Sequence, residues 1–462
     1  MIQIFRVFIP GSVLGLLVSE ILLIFGLYLL PTWWLKGEEF ELYLFYEDGL
    51  FRIVTVAGSV LAGLYFSDLY EQIRVARRTL LVQQVCLVMG IAFLVQGALA
   101  YISAEWRLPR DIMLAGSGGC LVLLPAWRIL YNRLLLRAFG AERILFVGTS
   151  QTIQEVVARL NERPELGLQP IGFLAPDEQP LANPPACRPL GEVAKVRDVI
   201  AAIHPDRVVI GLAERRQQLP VYDLLDLSLS GVRIEETAGI YEVAFSRVCL
   251  RELRPSQLIF GGWGPRRRSL VLQGMVAFFA ALVGLVLVSP LMLLAALAVR
   301  LSSPGPVLFR QTRVGKNGRH FTVYKFRSMY ADAEARTGAV WAQKDDPRVT
   351  PVGRWLRRLR IDELPQLVNV LKGDMALVGP RPERPEFVQL LSERIPFYNQ
   401  RHCVRPGVTG WAQINFRYGN TFEDTATKLE YDLYYIKNLS LALDLYIMFH
   451  TVKIMLLTRG AQ

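Results

Sequence analysis

Two adjacent carboxylates, Asp362 and Glu363, follow Lys325 and Arg327 and precede Arg381, which stands between Pro380 and Pro382. These residue types suit the transfer of a phosphorus-bearing group from a diphosphate to another phosphate. A carboxylate attacks phosphorus to form an acyl-phosphate, which divides one hard transfer into two easier ones. Its neighbour can help hold magnesium, a hard cation that favours carboxylate and phosphate oxygens, so Asp362 and Glu363 are both candidate metal ligands. Lys325, Arg327 and Arg381 are candidates to clamp the diphosphate, because guanidinium groups match phosphate in a bidentate way. A competing account makes the acidic pair a helix start, since acidic side chains favour the first turn. Leu364, Leu367, Val368 and Leu371 form a helical stripe behind it. The two accounts agree, because a helix N-terminus also points N–H groups at a phosphate. Arg354, Arg357, Arg358 and Arg360 form a basic helix ahead of the pair, suited equally to phosphate and to solvent.

A membrane must frame these residues. Apolar side chains make up 52% of the 462 residues, only 20% are charged, and mean hydropathy is +0.29. That excludes an ordinary soluble protein and leaves a membrane protein with soluble parts. The net charge of +11 suits anionic headgroups or phosphorylated substrates. Five scattered cysteines without a Cys-x-x-Cys pair, and four distant histidines, point to no zinc site and no disulfide framework.

Apolar segments at residues 9–30, 50–66, 80–101 and 112–135 each approach the length of a membrane-spanning helix. The first is read as a retained span. Glu38, Glu39, Glu41, Glu47 and Asp48 fill the first connection, which is expected outside. Arg74, Arg77 and Arg78, then Arg133, Arg137 and Arg143, place the second connection and the end of the fourth span in the cytoplasm. Short apolar strands at 144–147 and 208–210 then alternate with amphipathic stretches, predicting a parallel sheet. The turn Gly148-Thr149-Ser150 invites phosphate, yet the full Gly-x-Gly-x-x-Gly pattern is absent, which favours a scaffold or regulatory domain over a dinucleotide site. Residues 176–189 read as an exposed Pro-rich loop.

The basic run Arg266-Arg267-Arg268 opens another apolar stretch, 270–301, interrupted by Ser289-Pro290. A proline inside a helix removes a hydrogen bond and crowds the preceding turn, so this helix either kinks while crossing or turns back. A fifth crossing would place everything after Arg300 outside, away from a cytoplasmic supply of soluble substrate.

Four ordered stretches carry a resemblance: Lys325-Phe326-Arg327-Ser328-Met329, Arg360-Ile361-Asp362-Glu363-Leu364-Pro365-Gln366-Leu367, Gly379-Pro380-Arg381-Pro382, and Arg405-Pro406-Gly407-Val408-Thr409-Gly410-Trp411-Ala412-Gln413. Together with Tyr431-Asp432-Leu433-Tyr434-Tyr435-Ile436 they resemble the bacterial sugar transferase family, the monotopic phosphoglycosyl transferases, from about residue 270 onward. The resemblance implies a ping-pong reaction. Asp362 attacks the sugar-bearing phosphate of a UDP-sugar and expels UMP, and polyprenyl (undecaprenyl) phosphate then takes the phosphosugar. Glu363 matches the metal-supporting carboxylate, and Arg360 and Arg405 join Lys325, Arg327 and Arg381 as substrate-binding candidates. Ser289 and Pro290 match the break in a re-entrant membrane helix. Where the family often carries an acidic residue near the start of that helix, this chain has the apolar Val276 and Ala277.

The expected architecture is a membrane α-helical bundle, an α/β Rossmann-like domain and a mainly α monotopic catalytic module with a re-entrant membrane helix. The corresponding boundaries are residues 1–140, 141–262, 263–304 for the re-entrant helix and 305–462 for the module. Such a protein sits in the bacterial inner (cytoplasmic) membrane with its module on the cytoplasmic face. It initiates exopolysaccharide or O-antigen synthesis, tends to form a homodimer, uses magnesium and binds no nucleic acid. Glucose and galactose are the favoured sugars. Leu441, Leu445, Met448, Phe449, Val452 and Leu456, with Lys453 and Arg459 nearby, suggest a last helix that either lies on the membrane or packs in the core, with membrane contact slightly favoured. A nucleotide-sugar epimerase or dehydratase is disfavoured, because neither Tyr222 nor Tyr241 is followed three residues later by lysine. A non-enzymatic membrane scaffold or regulator of polysaccharide assembly leaves the acidic pair, Lys325 and the proline-flanked Arg381 unexplained.

Overall fold

The computed structural model describes residues 2–4, 7–9, 11–70, 78–103, 106–138, 141–176, 184–211, 221–265, 267–330, 346–416 and 421–457. Arg74, Arg77, Arg266 and Arg459, and residues 177–183 of the expected Pro-rich loop, lie outside them. The chain divides into two compact units, made chiefly of residues 8–237 and 238–462.

The first unit opens with four long apolar helices: α1 (Gly11–Lys36), α2 (Gly49–Phe66), α3 (Arg78–Ile102) and α4 (Arg110–Ala138). Each is long and apolar enough to cross a membrane. Ile24, Tyr28, Ile53, Val60, Val85, Val88 and Leu124 form their shared core. One buried ion pair pins the bundle: Arg128 Nε lies 2.6 Å from Glu20 Oε1, and Tyr70 Oη donates to Glu20 Oε2 at 2.7 Å. An unpaired charge at that depth is costly, so the pair fixes the register of α1 against α4.

A five-stranded parallel sheet follows, with strands β1 (Glu142–Val147), β2 (Leu168–Ala175), β3 (Pro189–Glu192), β4 (Arg207–Ile210) and β5 (Arg233–Glu236). Their order is β3-β2-β1-β4-β5. Leu145, Val147, Leu174 and Val208 are buried within it, which explains why β1 and β4 read as short apolar runs. The Gly148-Thr149-Ser150 turn caps helix α5 (Gln151–Glu162), with Ser150 Oγ accepting from the Ile153 amide at 3.3 Å.

In the second unit, helix α6 (Arg267–Ser302) runs as helix through Pro290. Its 36 residues would extend about 54 Å if straight, well beyond a bilayer's apolar thickness of about 30 Å. Ala277 and Ala281 on one side of the proline pack with Val323, Val370 and Met375. On the other side Ala295 and Val299 pack with Phe326 and Leu356. Small side chains four residues apart let the helix lie close on the module, while Val286, Leu287, Leu293 and Leu294 stay exposed.

The module itself begins with an antiparallel hairpin, β6 (Leu308–Val314) and β7 (His320–Phe326). Helices α7 (Pro351–Arg358) and α8 (Gln366–Lys372) follow, then β8 (Ala376–Val378), which pairs in parallel with β9 (Gly407–Thr409). A Cβ on Gly379, Gly407 or Gly410 would strike the facing backbone, so the glycines of two motifs far apart in sequence serve one close strand pairing. Helices α9 (Phe422–Asn438) and α10 (Leu441–Leu456) close the unit. On α10, Leu443 and Ile447 are buried, whereas Leu445, Phe449, Val452 and Leu456 of the expected membrane-facing stripe are exposed. Residues 238–262 cluster here and not with the sheet. Lys437 Nζ donates to Glu242 at 2.7 Å, and the Leu250 amide donates to Glu430 at 3.1 Å.

Candidate active site

Three segments of the second unit converge on the acidic pair. Asp362 and Glu363 occupy a single turn of 3-10 helix, Ile361–Glu363, ahead of α8. The turn is set by Arg360, whose φ of 59° is left-handed and uncommon for a side-chain-bearing residue. The pair therefore precedes the α-helix and does not form its first turn. The basic helix also ends earlier than expected, at Arg358, which leaves Arg360 in the connecting turn.

Lys325, near the end of β7, donates to Glu363 Oε1 at 2.8 Å, and Arg381, just after β8, donates to the same oxygen at 3.0 Å. The Glu363 side chain keeps 11% exposure, and its partial burial alone would raise the carboxyl; Lys325, Arg381 and Arg360 overcome that and hold it well below the usual carboxylate range. Asp362 behaves oppositely. Burial, reinforced by the negative charge of Glu363, pushes its carboxyl up to about 6 against the pull of Lys325, Arg357 and Arg360. Asp362 Oδ1 is buried and accepts no hydrogen bond from the described residues. An ionised oxygen left without a donor is the arrangement a nucleophile requires, because nothing must be broken before it attacks.

Arg381 is itself positioned from behind. The Arg401 guanidinium donates to the Arg381 carbonyl at 2.9 Å, to Asp432 Oδ2 at 2.8 Å and to Tyr398 Oη at 2.8 Å. Arg401 and Asp432 are both buried, so this pair is part of the core.

Two expected substrate contacts are placed elsewhere. Arg327 is buried, and it donates to the carbonyls of Val299, Ser303 and Pro304 at 3.3, 2.7 and 2.9 Å and to Ser303 Oγ at 3.0 Å. Those oxygens lie at the end of α6 and just beyond it, where unpaired carbonyls attract a cation. Arg327 therefore ties α6 to the end of β7 while Lys325 serves the pair. Arg327→Ala should lower unfolding free energy by about 2–4 kcal/mol, while transfer per folded molecule stays within a few-fold. Thermal melts and initial rates would check this, and a raised KM for donor without lost stability would restore Arg327 as a clamp. Arg405 is exposed beside Gly274 of α6 and Gly373, and lines a cavity that neither acidic residue lines.

Sequence reasoning missed the polar anchor at the start of α6. Gln273 Nε2 donates to Asp444 Oδ2 at 2.9 Å and to Tyr435 Oη at 2.7 Å, and Tyr435 Oη donates to Asp444 Oδ1 at 2.7 Å. Burial pushes the Asp444 carboxyl up to about 6. This cluster stands near the apolar Val276 and Ala277, where the sequence lacks the acidic residue that the family resemblance led one to look for.

Comparison with known proteins gives this geometry its setting. The profile described as bacterial sugar transferase matches residues 268–458, which contain every residue of the site. The exopolysaccharide production protein PSS of Rhizobium leguminosarum bv. phaseoli is 45% identical over 196 residues, 41% of this chain and 98% of that protein. The chain belongs to the bacterial sugar transferase family. Within this family, a UDP-N-acetylgalactosamine-undecaprenyl-phosphate N-acetylgalactosaminephosphotransferase of Aeromonas hydrophila is 46% identical over 235 residues, 51% of this chain. The chain spans about half of that relative's length, 55%. A UDP-glucose:undecaprenyl-phosphate glucose-1-phosphate transferase of Xanthomonas campestris pv. campestris is 32% identical over 351 residues, covering 71% of this chain and 70% of that one.

Proposed function

We propose that this protein transfers hexose-1-phosphate from a UDP-sugar to undecaprenyl phosphate, releasing UMP, as the first step of exopolysaccharide or O-antigen synthesis. The observation that carries the reading is the buried Oδ1 of Asp362, without a donor among the described residues, beside a carboxylate held by Lys325 and Arg381. In the first half-reaction a carboxylate oxygen of Asp362 bonds to the sugar-bearing phosphorus, and the phosphorus–oxygen bond to UMP breaks. In the second, an oxygen of undecaprenyl phosphate bonds to that phosphorus, and the acyl-phosphate bond breaks to return the carboxylate. Lys325 and Arg381 neutralise diphosphate charge, and Glu363 keeps both cations oriented.

Asp362 and Glu363 also fit magnesium, because one or two carboxylates with substrate phosphates make up its usual shell. Among the described residues no cluster of three or more His, Cys, Asp or Glu offers another metal site. Bound there, the ion would neutralise phosphate oxygens. Excess chelator is expected to abolish transfer, as followed by UMP release; full turnover without free magnesium would remove the metal from the proposal.

Supporting a re-entrant α6 is its packing on one module from both sides of Pro290, with the exposed apolar side chains in between. That topology keeps the site on the cytoplasmic face of the inner membrane, where UDP-sugars are supplied. The strand order of the sheet supports a Rossmann-like fold for the α/β domain. A homodimer and a choice between glucose and galactose, or an N-acetylated sugar as in the Aeromonas relative, belong to the same proposal.

The test is to incubate the purified chain with a UDP-sugar labelled at the sugar-bearing phosphate, with polyprenyl phosphate omitted. A phosphosugar adduct mapped to Asp362 by mass spectrometry, with UMP released, is expected. Absence of both with every donor, magnesium and lipid present, would overturn transfer through Asp362.

A further inference from the structure

Apart from the acidic pair, the second unit carries a cavity of about 520 Å³ at the start of α6. Three cations reach it from separate segments: Arg267 from the first residue of α6, Lys316 from the turn between β6 and β7, and Arg405 from just before β9. Among the described residues none of the three pairs with a carboxylate. Like charges brought to one cavity repel one another, so the arrangement is stable only with an anion or with solvent between them. Much of the remaining lining is apolar: Leu270, Met275 and Phe278 of α6 contribute to it beside Gln273, and Met275 and Phe278 remain 49% and 44% exposed.

A cavity lined both by cations and by apolar side chains of a membrane helix matches an amphiphile that carries phosphate on a hydrocarbon chain. A free phosphate would leave the apolar lining unmatched, and a nucleotide would bring no chain to it. We infer that this cavity binds the phosphate of an anionic bilayer phospholipid, seating the base of α6 at the headgroup layer through Arg267, Lys316 and Arg405. The site is separate from the acidic pair and does not depend on which sugar is transferred.

Native mass spectrometry of the full chain, released from detergent containing equimolar phosphatidylglycerol and phosphatidylcholine, tests the assignment. The wild type should retain phosphatidylglycerol in preference. A Lys316→Ala/Arg405→Ala variant should lose roughly ten- to thirtyfold of that preference, since each basic residue at a membrane surface strengthens such binding about fivefold. The Lys316→Arg/Arg405→Lys variant should keep most of it, which separates lost charge from lost folding. Equal retention of both lipids by the wild type, or an unchanged preference in the alanine variant, would overturn the inference. Displacement of phosphatidylglycerol by equimolar inorganic phosphate would reassign the cavity to a free anion. Displacement by equimolar polyprenyl phosphate would reassign it to the acceptor, and either result defeats the phospholipid assignment.

Discussion

Asp362→Asn is expected to abolish transfer and, at the same time, to make the protein more stable. The amide lacks the nucleophilic oxygen anion, so turnover should fall by at least about a thousandfold, as when an attacking side chain is removed from other covalent enzymes. Stability moves the other way because the folded protein holds this carboxyl at about 6, compared with an ordinary value of 3.8. Between those values the folded state binds more protons than the unfolded one, so stability declines as pH rises through that window, by about 3 kcal/mol in total. Asparagine is neutral throughout. The variant's advantage in melting temperature should be absent below about pH 4, grow towards pH 6 and then level off. Denaturation followed at pH 4 and pH 7.5, alongside UMP release, would check both halves. A variant no more stable at pH 7.5 than at pH 4, relative to wild type, would show that Asp362 is not held above its ordinary value.

Glu363→Gln should differ from its neighbour in sign. Removing this charge leaves Lys325 and Arg381 without their shared acceptor, which should lower stability by about 2 kcal/mol; both cations are partly exposed, which keeps the loss below that of a fully buried pair. Transfer should fall by about a hundredfold or more, because the clamp loses its orientation. What remains should retain activity to lower pH, since the negative charge of Glu363 is one of the forces raising Asp362. The pH–rate profile of the residual activity measures this directly. An acid limb that stays in place would separate the two carboxylates electrostatically and defeat the account of their coupling. Two adjacent acids with opposite effects on stability are hard to explain as a generic acidic helix start.

The membrane helices were legible because hydropathy is additive along a run and needs no tertiary knowledge. α2 starts and ends within one residue of the apolar segment read at 50–66. Likewise β1 and β4 announced themselves as short runs buried on both faces. The convergence of Lys325, Glu363 and Arg381 followed from motif content. Pairings set by long-range packing could not be read. Nothing near Glu20 points to Arg128, nothing near Arg401 points to Asp432, and Gln273 gives no sign of Asp444. Arg327 shows the limit most sharply. It stands two residues from Lys325 in one motif, yet β7 ends between them at Phe326, and the strand's end is where α6 presents its carbonyls. Arg405 likewise shares a motif with Gly407 of β9 but lines the cavity beside α6.

The way α6 packs sets a practical limit on modularity. Ala277, Ala281, Ala295 and Val299 complete two of the module's hydrophobic cores, so a soluble fragment starting at β6 would uncover Val323, Phe326, Leu356 and Met375. Truncation is thus the wrong route to a water-soluble catalyst. The productive route keeps the whole helix with its small-residue face and Gln273, and replaces outward side chains such as Val286, Leu287, Leu293 and Leu294 with polar ones. In that design the membrane helix becomes an ordinary amphipathic element, and the chemistry keeps the floor on which it was built.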